Sequence, residues 1–339
     1  TASANRDAFE HWQIVPRHLR GVADRTLQVE LLGSKMPAPV LLAPVGALGA
    51  VRTGGDLEVA RAAAHLGLTT TLSTLSSSTL EEVAAALAGP GDVADPAGRG
   101  WFQLYWPTDR ELAASLVQRA ERAGFQALVV TIDTWTLAWR PRDLARGYLP
   151  FQRGEGLANY FSDPVFRSRL GAAPEADTAA AVALWSEIFG NPELVWSDLD
   201  WLRGQTKLPI LLKGICHPDD ARQGAARGVD GLIVSNHGGR QIDGARAALD
   251  CVPQVVAASQ GLPVLFDSGI RSGSDVLKAL ALGARAVLVG RPYVYGLALA
   301  GQSGVEHVLR CLLAELDISV GLSGHSGVAS LGADSLAPA

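Results

Sequence analysis

Eight times along this chain a short apolar run, bounded by turn residues, gives way to a polar strand end or an amphipathic stretch. The runs are APVLLAP (38–44), TTTLS (69–73), FQLYW (102–106) and ALVVTID (127–133), then PILLKGI (209–215), GLIVSN (231–236), PVLFDSG (263–269) and AVLVG (286–290). Runs of this length, apolar on both faces, read as buried parallel strands. Between them lie Ala-rich helical patterns: DLEVARAAAHLG (56–67), TLEEVAAALAG, DRELAASLVQRAERAG, HPDDARQGAARG and SGSDVLKALALG. Several open on Asp, Ser or Thr and many close on Gly, the residue types that start and stop helices. Strand–helix alternation predicts parallel pairing through right-handed crossovers. Eight units favour a closed (β/α)8 barrel, the TIM-barrel architecture, over an open doubly wound sheet. No G-x-G-x-x-G follows the first strand to support the open alternative.

The 339 residues would allow one large domain or two ordinary ones. No linker-like stretch separates two cores; the nearest, 88–100, reads as a short surface loop. One domain over 1–339 is therefore expected. Residues 141–205 break the rhythm between the fourth and fifth strands. They hold one crossover helix and much additional chain, including GYLPFQRGEGLANYFSDPVF and Trp185, Trp196 and Trp201. A long, aromatic-rich insert in a compact fold reads as a cover over an active site.

Composition removes several functions. A 48% hydrophobic chain is not disordered. A net charge of −5 without a Lys/Arg cluster predicts no nucleic-acid partner. No apolar run approaches the roughly 20 residues that span a bilayer, and the polar opening TASANRDAFEHW has no signal core, so no membrane partner is expected. Cys216, Cys251 and Cys311 fit neither a disulfide framework nor a zinc template, which points to a reducing, cytoplasmic setting. No pair of histidines has helix-face metal spacing, so no metal is expected.

In (β/α)8 barrels the chemistry gathers at the C-terminal ends of the strands. Here those ends carry Pro44-Val45-Gly46, Ser73, Gln103 and Tyr105, Thr131 and Asp133, Lys213, Ser235-Asn236-His237, Asp267-Ser268-Gly269 and Gly290-Arg291. DSGIRSG (267–273) and GRP (290–292) combine glycines with Arg271 and Arg291 after the last two strands. Backbone N–H groups freed by glycine, a helix N-terminus and fixed charge together suit a phosphate. Single Gly-Arg pairs are commonly surface ion pairs; two at these particular ends favour the phosphate. SNHGGR (235–240) places an imidazole that titrates near neutral pH beside an anion-binding guanidinium. Asp133 could orient that imidazole. His11, His18, His65, His217, His307 and His325 lack such a setting and read as surface or packing residues.

These motifs together resemble the FMN-dependent α-hydroxy acid oxidising enzymes. The likeness runs from about residue 4 to about 320 through LLAPVGA, STLSSSTLEEV, FQLYW, TIDTWTLAWRPRDL, LLKGI, VSNHGGRQ, LFDSGIRSGSDVLKALALGA and VGRPY. Within that family, PVGA, WRPRDL with GYLPF, LANYFSDPVF and LLKGICHPDDAR are most similar to lactate 2-monooxygenase. The resemblance implies FMN as cofactor, a small 2-hydroxy acid and O2 as reactants, and homo-oligomers, often tetramers or larger. It implies that Pro44, Val45 and Gly46 face the flavin ring. Ser73, Gln103, Thr131 and Ser235 would bond it, and Lys213 would sit where charge accumulates on reduction. Asp267, Gly269, Arg271, Gly290 and Arg291 would hold ribityl hydroxyls and phosphate. Arg240 and Arg140 would bind the substrate carboxylate, Tyr105 would bond the substrate, and His237 with Asp133 would be the base. Leu75, Trp106 and Trp135 are candidates for the pocket wall.

Two departures stand out. Gly46 stands where many oxidases of the family carry Ala, which fits the monooxygenase pattern. The family also has an N-terminal helical region with a Tyr that binds the substrate carboxylate. The sequence opens after it, implying either a trimmed chain or a site without that Tyr.

Overall fold

The computed structural model describes residues 1–88 and 100–339. The surface loop expected over 88–100 falls almost wholly outside them. Eight parallel strands close into one barrel. In chain order they are β1 (Val40–Leu42), β2 (Thr70–Ser73), β3 (Gly100–Leu104), β4 (Ala127–Thr131), β5 (Ile210–Ile215), β6 (Gly231–Val234), β7 (Val264–Phe266) and β8 (Ala286–Val289). Each pairs with the next, and β8 closes on β1 with Leu288 opposite Leu41. This is the (β/α)8 barrel expected from the alternation.

The strands form where they do because their apolar side chains fill both the barrel interior and the seam beneath the helices. Val40, Leu41, Leu42, Phe102, Leu211, Leu232 and Phe266 are fully buried. The third strand starts two residues earlier than its apolar run suggests. It begins at Gly100, where a Cβ would lie 2.7 Å from Leu87 Cδ1 and 3.1 Å from the Phe125 ring. Helix starts follow the local chemistry: Asp109 caps Arg110–Arg122 by accepting from Leu112 N, and Ser272 and Asp275 form a capping box on Gly273–Ala281.

Additions frame the barrel. An N-terminal helix, Ala4–Glu10, precedes a strand, Trp12–Ile14, that pairs antiparallel with Leu336–Pro338 and ties the two ends together. The insert after β4, expected to hold one crossover helix and much additional chain, holds several helices. It is a chain of short helical pieces, among them Pro141–Arg146, Pro150–Arg153, Ala158–Phe161, Pro164–Ser168, Thr178–Ile188 and Asp198–Arg203. Proline and glycine interrupt it too often for one long helix. Aromatic packing gives it a core of its own: Trp185 lies 5.3 Å from Phe151 and 4.9 Å from Phe189 between ring centroids. Among the described residues no helix is long and apolar enough to cross a membrane, and no cluster of His, Cys, Asp or Glu could hold a metal.

One buried acid makes the fold pH-sensitive. Asp56, in the first turn of Gly55–Leu66, is 3% exposed and accepts from Ser77 N at 3.1 Å. Burial pushes its carboxyl up to about 6, against hydrogen bonds from Ser76 and Ser77 that pull it down. Between about pH 4 and 6 the unfolded chain gives up this proton while the folded chain keeps it, so stability falls as pH rises through that window. Asp56→Asn should remove the effect. Relative to wild type, the variant should gain about 2 kcal/mol in chemical denaturation between pH 4 and pH 7. Parallel pH profiles would refute the assignment.

Candidate active site

The ends of β4 and β6 bring together residues 104 positions apart in the chain. Asp133 and Thr134 follow β4; Ser235, Asn236 and His237 follow β6. Gly214 makes the approach possible, because with φ of +116° and no side chain it lets Asp133 come where a Cβ would lie 2.8 Å from Asp133 Cβ. His237 Nδ1 lies 3.0 Å from Asp133 Oδ1 and 3.2 Å from Thr134 Oγ1, and Thr134 also donates to Asp133 at 3.0 Å. On the far side of the ring, Nε2 lies 3.4 Å from the Tyr105 hydroxyl. A proton on Nδ1 shared with Asp133 leaves the Nε2 lone pair facing the cavity.

Electrostatics support that tautomer. Burial pushes the Asp133 carboxyl up, but His237, Lys213 and Thr134 outweigh it and hold it below the usual carboxylate range. Its buried Oδ2 has no hydrogen-bond partner among the described residues. Tyr105 is pushed up to about 12, chiefly by burial, so its hydroxyl remains a neutral donor. His237 holds a φ of +58°, a left-handed conformation that costs a residue with a Cβ about 1–3 kcal/mol and recurs at functional sites.

Two guanidiniums stand on the rim above this line. Arg240 Nη2 lies 3.2 Å from Asp143 Oδ2, and Arg140 Nη1 lies 4.0 Å from the same oxygen. Arg140 Nη2 donates to Gln241 Oε1 at 3.2 Å, and Gln241 Nε2 donates to the Asp133 carbonyl at 2.8 Å. Burial, and then the like charge of Arg240, hold Arg140 below the usual arginine value. A carboxylate is the ligand that relieves both effects.

Beneath lies a buried ammonium. Lys213 Nζ is 3.1 Å from Asp267 Oδ2 and donates to Ser235 Oγ at 3.0 Å. Burial alone would lower its pKa, yet Asp267, Asp133 and Tyr105 raise it, so it stays charged. Ser73 donates to Gln103 Oε1 at 3.0 Å, which turns the buried Gln103 Nε2 to a position without a partner among the described residues.

At the remaining edge, Arg271 is held below its usual value by burial and then by Arg291 and Arg6. Arg291 donates to the Gly238 carbonyl from Nη1 and Nη2 at 3.2 and 3.1 Å. Crowded cations at the N-termini of Gly273–Ala281 and Arg291–Leu322 suit a dianion. The donor set therefore fits FMN: an orphaned buried amide N–H, a fixed ammonium, and a phosphate-like charge cluster at the far end.

A cavity of about 420 Å³ joins these groups. Pro44, Val45, Gly46, Tyr105, Arg140, Lys213, His237, Arg240, Asp267, Gly269, Arg271, Gly290 and Arg291 line it. Asp133, Ser73, Gln103, Thr131 and Ser235 stand behind that wall, all but Asp133 buried outright. Leu75 lines the cavity as expected. Trp106 and Trp135 do not: Trp106 packs on Trp201 at 5.7 Å, and Trp135 is 57% exposed. The insert supplies Tyr148, Leu149, Phe151 and Phe189 instead, in keeping with a cover. Sequence reasoning missed Thr134, Asp143 and Gln241, and it placed Ser268 at a strand end without giving it a role. Ser268 carries a φ of +90° and bonds Asp267, Asn236 N and Gly238 N. Nothing local in the sequence marks these partners; their proximity comes from barrel closure.

Comparison with known proteins gives one answer throughout. The family model described as FMN-dependent dehydrogenase matches residues 1–338. The chain is 47% identical to the FMN-dependent alpha-hydroxy acid dehydrogenase qulF of Penicillium citrinum, over 98% of this chain and 82% of that one. It is 44% identical to an L-lactate oxidase of Lysinibacillus sphaericus, over 98% and 83%. Among solved structures, an oxidised active mutant of (S)-mandelate dehydrogenase superposes with a TM-score of 0.87 at 38% identity, covering 100% of this chain and 91% of that one. With its barrel, its FMN-suited donor set and these relatives, the chain belongs to the FMN-dependent dehydrogenase family, the flavoenzymes that oxidise 2-hydroxy acids.

Proposed function

We propose that this cavity oxidises a small L-2-hydroxy acid, with His237 as base and Arg240 and Arg140 as the carboxylate clamp. The observation that carries the reading is the line from Asp133 through His237 to Tyr105, set directly beneath two crowded guanidiniums. Bound FMN supplies the two-electron acceptor. Arg240 and Arg140 orient the substrate carboxylate in place of Asp143. Tyr105, neutral, donates to the substrate oxygen. His237 Nε2 takes the substrate proton, and Asp133 stabilises the imidazolium through Nδ1–H. Lys213, kept charged by Asp267, supplies fixed positive potential in a buried site. Pro44, Val45, Gly46, Ser73, Thr131 and Ser235 shape and bond the ring site, with the free Gln103 Nε2 as a donor. Asp267, Gly269, Arg271, Gly290 and Arg291 hold the chain and phosphate.

The test is an anaerobic titration of the FMN-loaded protein with L-lactate, L-mandelate and glycolate. At least one should bleach the flavin band. A yellow protein that none of them bleaches would be a non-catalytic flavin binder, and a protein that cannot retain FMN would refute the reading altogether.

A second reading concerns the fate of the product. Gly46 favours lactate 2-monooxygenase chemistry, in which lactate and O2 yield acetate, CO2 and water. A Cβ at Gly46 would lie 3.1 Å from Leu75 Cβ and 3.2 Å from Leu75 O, so packing also favours glycine here. The insert over the cavity favours retention of the keto acid. The likeness to an L-lactate oxidase instead favours release of pyruvate and peroxide. Acetate formed in step with lactate consumed supports the monooxygenase; stoichiometric free peroxide without acetate excludes it.

A further inference from the structure

Buried asparagine on a terminal helix has no structural reason to be there unless its amide is used, and here the amide pairs on both sides with the residue that caps one turn. Asn5, in the helix Ala4–Glu10, is 1% exposed. Its Nδ2 donates to Asn236 Oδ1 at 2.8 Å, and Asn236 Nδ2 donates back to Asn5 Oδ1 at 2.8 Å. Each amide then makes further bonds. Asn5 Oδ1 accepts from Ala248 N at 3.0 Å, and Asn236 Nδ2 donates to the Arg246 carbonyl at 3.1 Å. Asn236 Oδ1 also accepts from Gly239 N at 3.1 Å, which caps the turn His237–Gly239.

We propose that Asn5 is a positioning residue: through Asn236 it holds the His237 turn in the conformation that sets the imidazole on Asp133. The proposal rests on the reading of His237 as base. Asn236 has two amide orientations of equal shape. Only the one with oxygen toward Gly239 N caps the turn; the other opposes two donors. Asn5 selects the capping orientation, because its own amide offers a donor to that oxygen and an acceptor to that nitrogen. The turn needs such a hold, since His237 has a φ of +58° and Gly238 of +64°.

The helix that carries Asn5 is a fixed mount. Arg6 Nη1 donates to the Gly269 carbonyl and pairs with Asp275 Oδ2 at 2.6 Å. Phe9 is fully buried, 6.1 Å from the Phe266 ring, and Lys278 Nζ donates to the Phe9 carbonyl at 2.8 Å. The Asn5 carbonyl comes so close to Gly269 that a Cβ there would lie 2.4 Å away. The helix is thus seated on the ends of β6 and β7, and Asn5 transmits that seat to the base.

The experiment compares Asn5→Ala, Asn5→Asp and Lys278→Met in the FMN-loaded protein. Asn5→Asp keeps the shape and the acceptor for Ala248 N, yet sets oxygen against Asn236 Oδ1. Lys278→Met loosens the helix end without touching Asn236. Two readouts are taken: amide hydrogen exchange over 235–248, and the pH profile of anaerobic flavin reduction. Both Asn5 variants should speed exchange at Gly238–Arg240 by about tenfold or more. Both should slow reduction by roughly 10–100-fold and displace its pH profile, with substrate affinity nearly unchanged. Lys278→Met should leave the turn and the profile as in wild type. Unchanged exchange and rate in Asn5→Asp would overturn the proposal. So would Lys278→Met matching it, which would mean that the helix acts only as packing. If wild-type flavin is reduced by no 2-hydroxy acid, the reading of the base fails, and exchange at Gly238–Arg240 still decides whether Asn5 holds the turn.

Discussion

His237→Ala should slow flavin reduction by about 10²–10⁴-fold while leaving FMN bound, because it removes the proposed acceptor of the substrate proton and little else. The imidazole is only 18% exposed and meets Asp133 at 3.0 Å and Tyr105 at 3.4 Å, so no solvent species of comparable basicity can be held in its place. The proposed flavin contacts are spread over Lys213, Gln103 and the Arg271–Arg291 end, none of which depends on the imidazole. Asp133 should change as well. Without His237, burial loses its largest counterweight and the carboxyl rises from its low value. Stopped-flow anaerobic reduction, with flavin absorbance as the measure of retention, tests this directly. Reduction near the wild-type rate would remove His237 as base. Loss of FMN along with the rate would move its role to the cofactor site.

The largest expected loss of stability comes from a residue far from the chemistry. Arg119, on Arg110–Arg122, is 7% exposed and joins the barrel to the insert. It donates to Asp163 Oδ2 at 3.0 Å and the Asn159 carbonyl at 2.9 Å, and pairs with Glu81 at 2.9 Å. Asp163 is fully buried and caps Pro164–Ser168. Arg119→Leu therefore leaves the buried Asp163 carboxylate without its counter-charge, with only the neutral donors Ser115 Oγ, Val165 N and Phe166 N, which costs about 3–5 kcal/mol. Urea unfolding should show that loss, with Arg119→Lys recovering part of it, since an ammonium cannot reach the same three partners. The insert should also loosen. Asn159 donates to the Thr74 carbonyl at 3.1 Å and accepts from Leu80 N at 2.8 Å, so this network reaches the end of β2 beside the cavity. Weaker substrate binding should accompany the lost stability. A loss under about 1 kcal/mol would show that Asp163 finds water or another partner.

The barrel and the chemical character of its mouth were legible in the sequence because both are written locally. An apolar run of four to seven residues with turn residues on each side can be read without knowing what lies opposite. All eight strands stand where such runs are, with β3 displaced by a glycine whose neighbours, Leu87 and Phe125, are not adjacent in sequence. Polar residues at the strand ends follow from the same reading, and the Arg271 and Arg291 loops converge on one cavity as expected.

Only the tertiary structure decided most of the partnerships. The Asp133–His237 pair was expected, but Lys213 meets Asp267, Gln241 links Arg140 to Asp133, and Asn5 meets Asn236 across 231 residues. It also decided that Trp135 faces outward while Phe151 and Phe189 wall the cavity. The physical reason is that periodicity and turn chemistry act through the backbone over a few residues. Side-chain pairing depends on which strand ends closure brings within 3 Å, and that is set by the whole barrel at once.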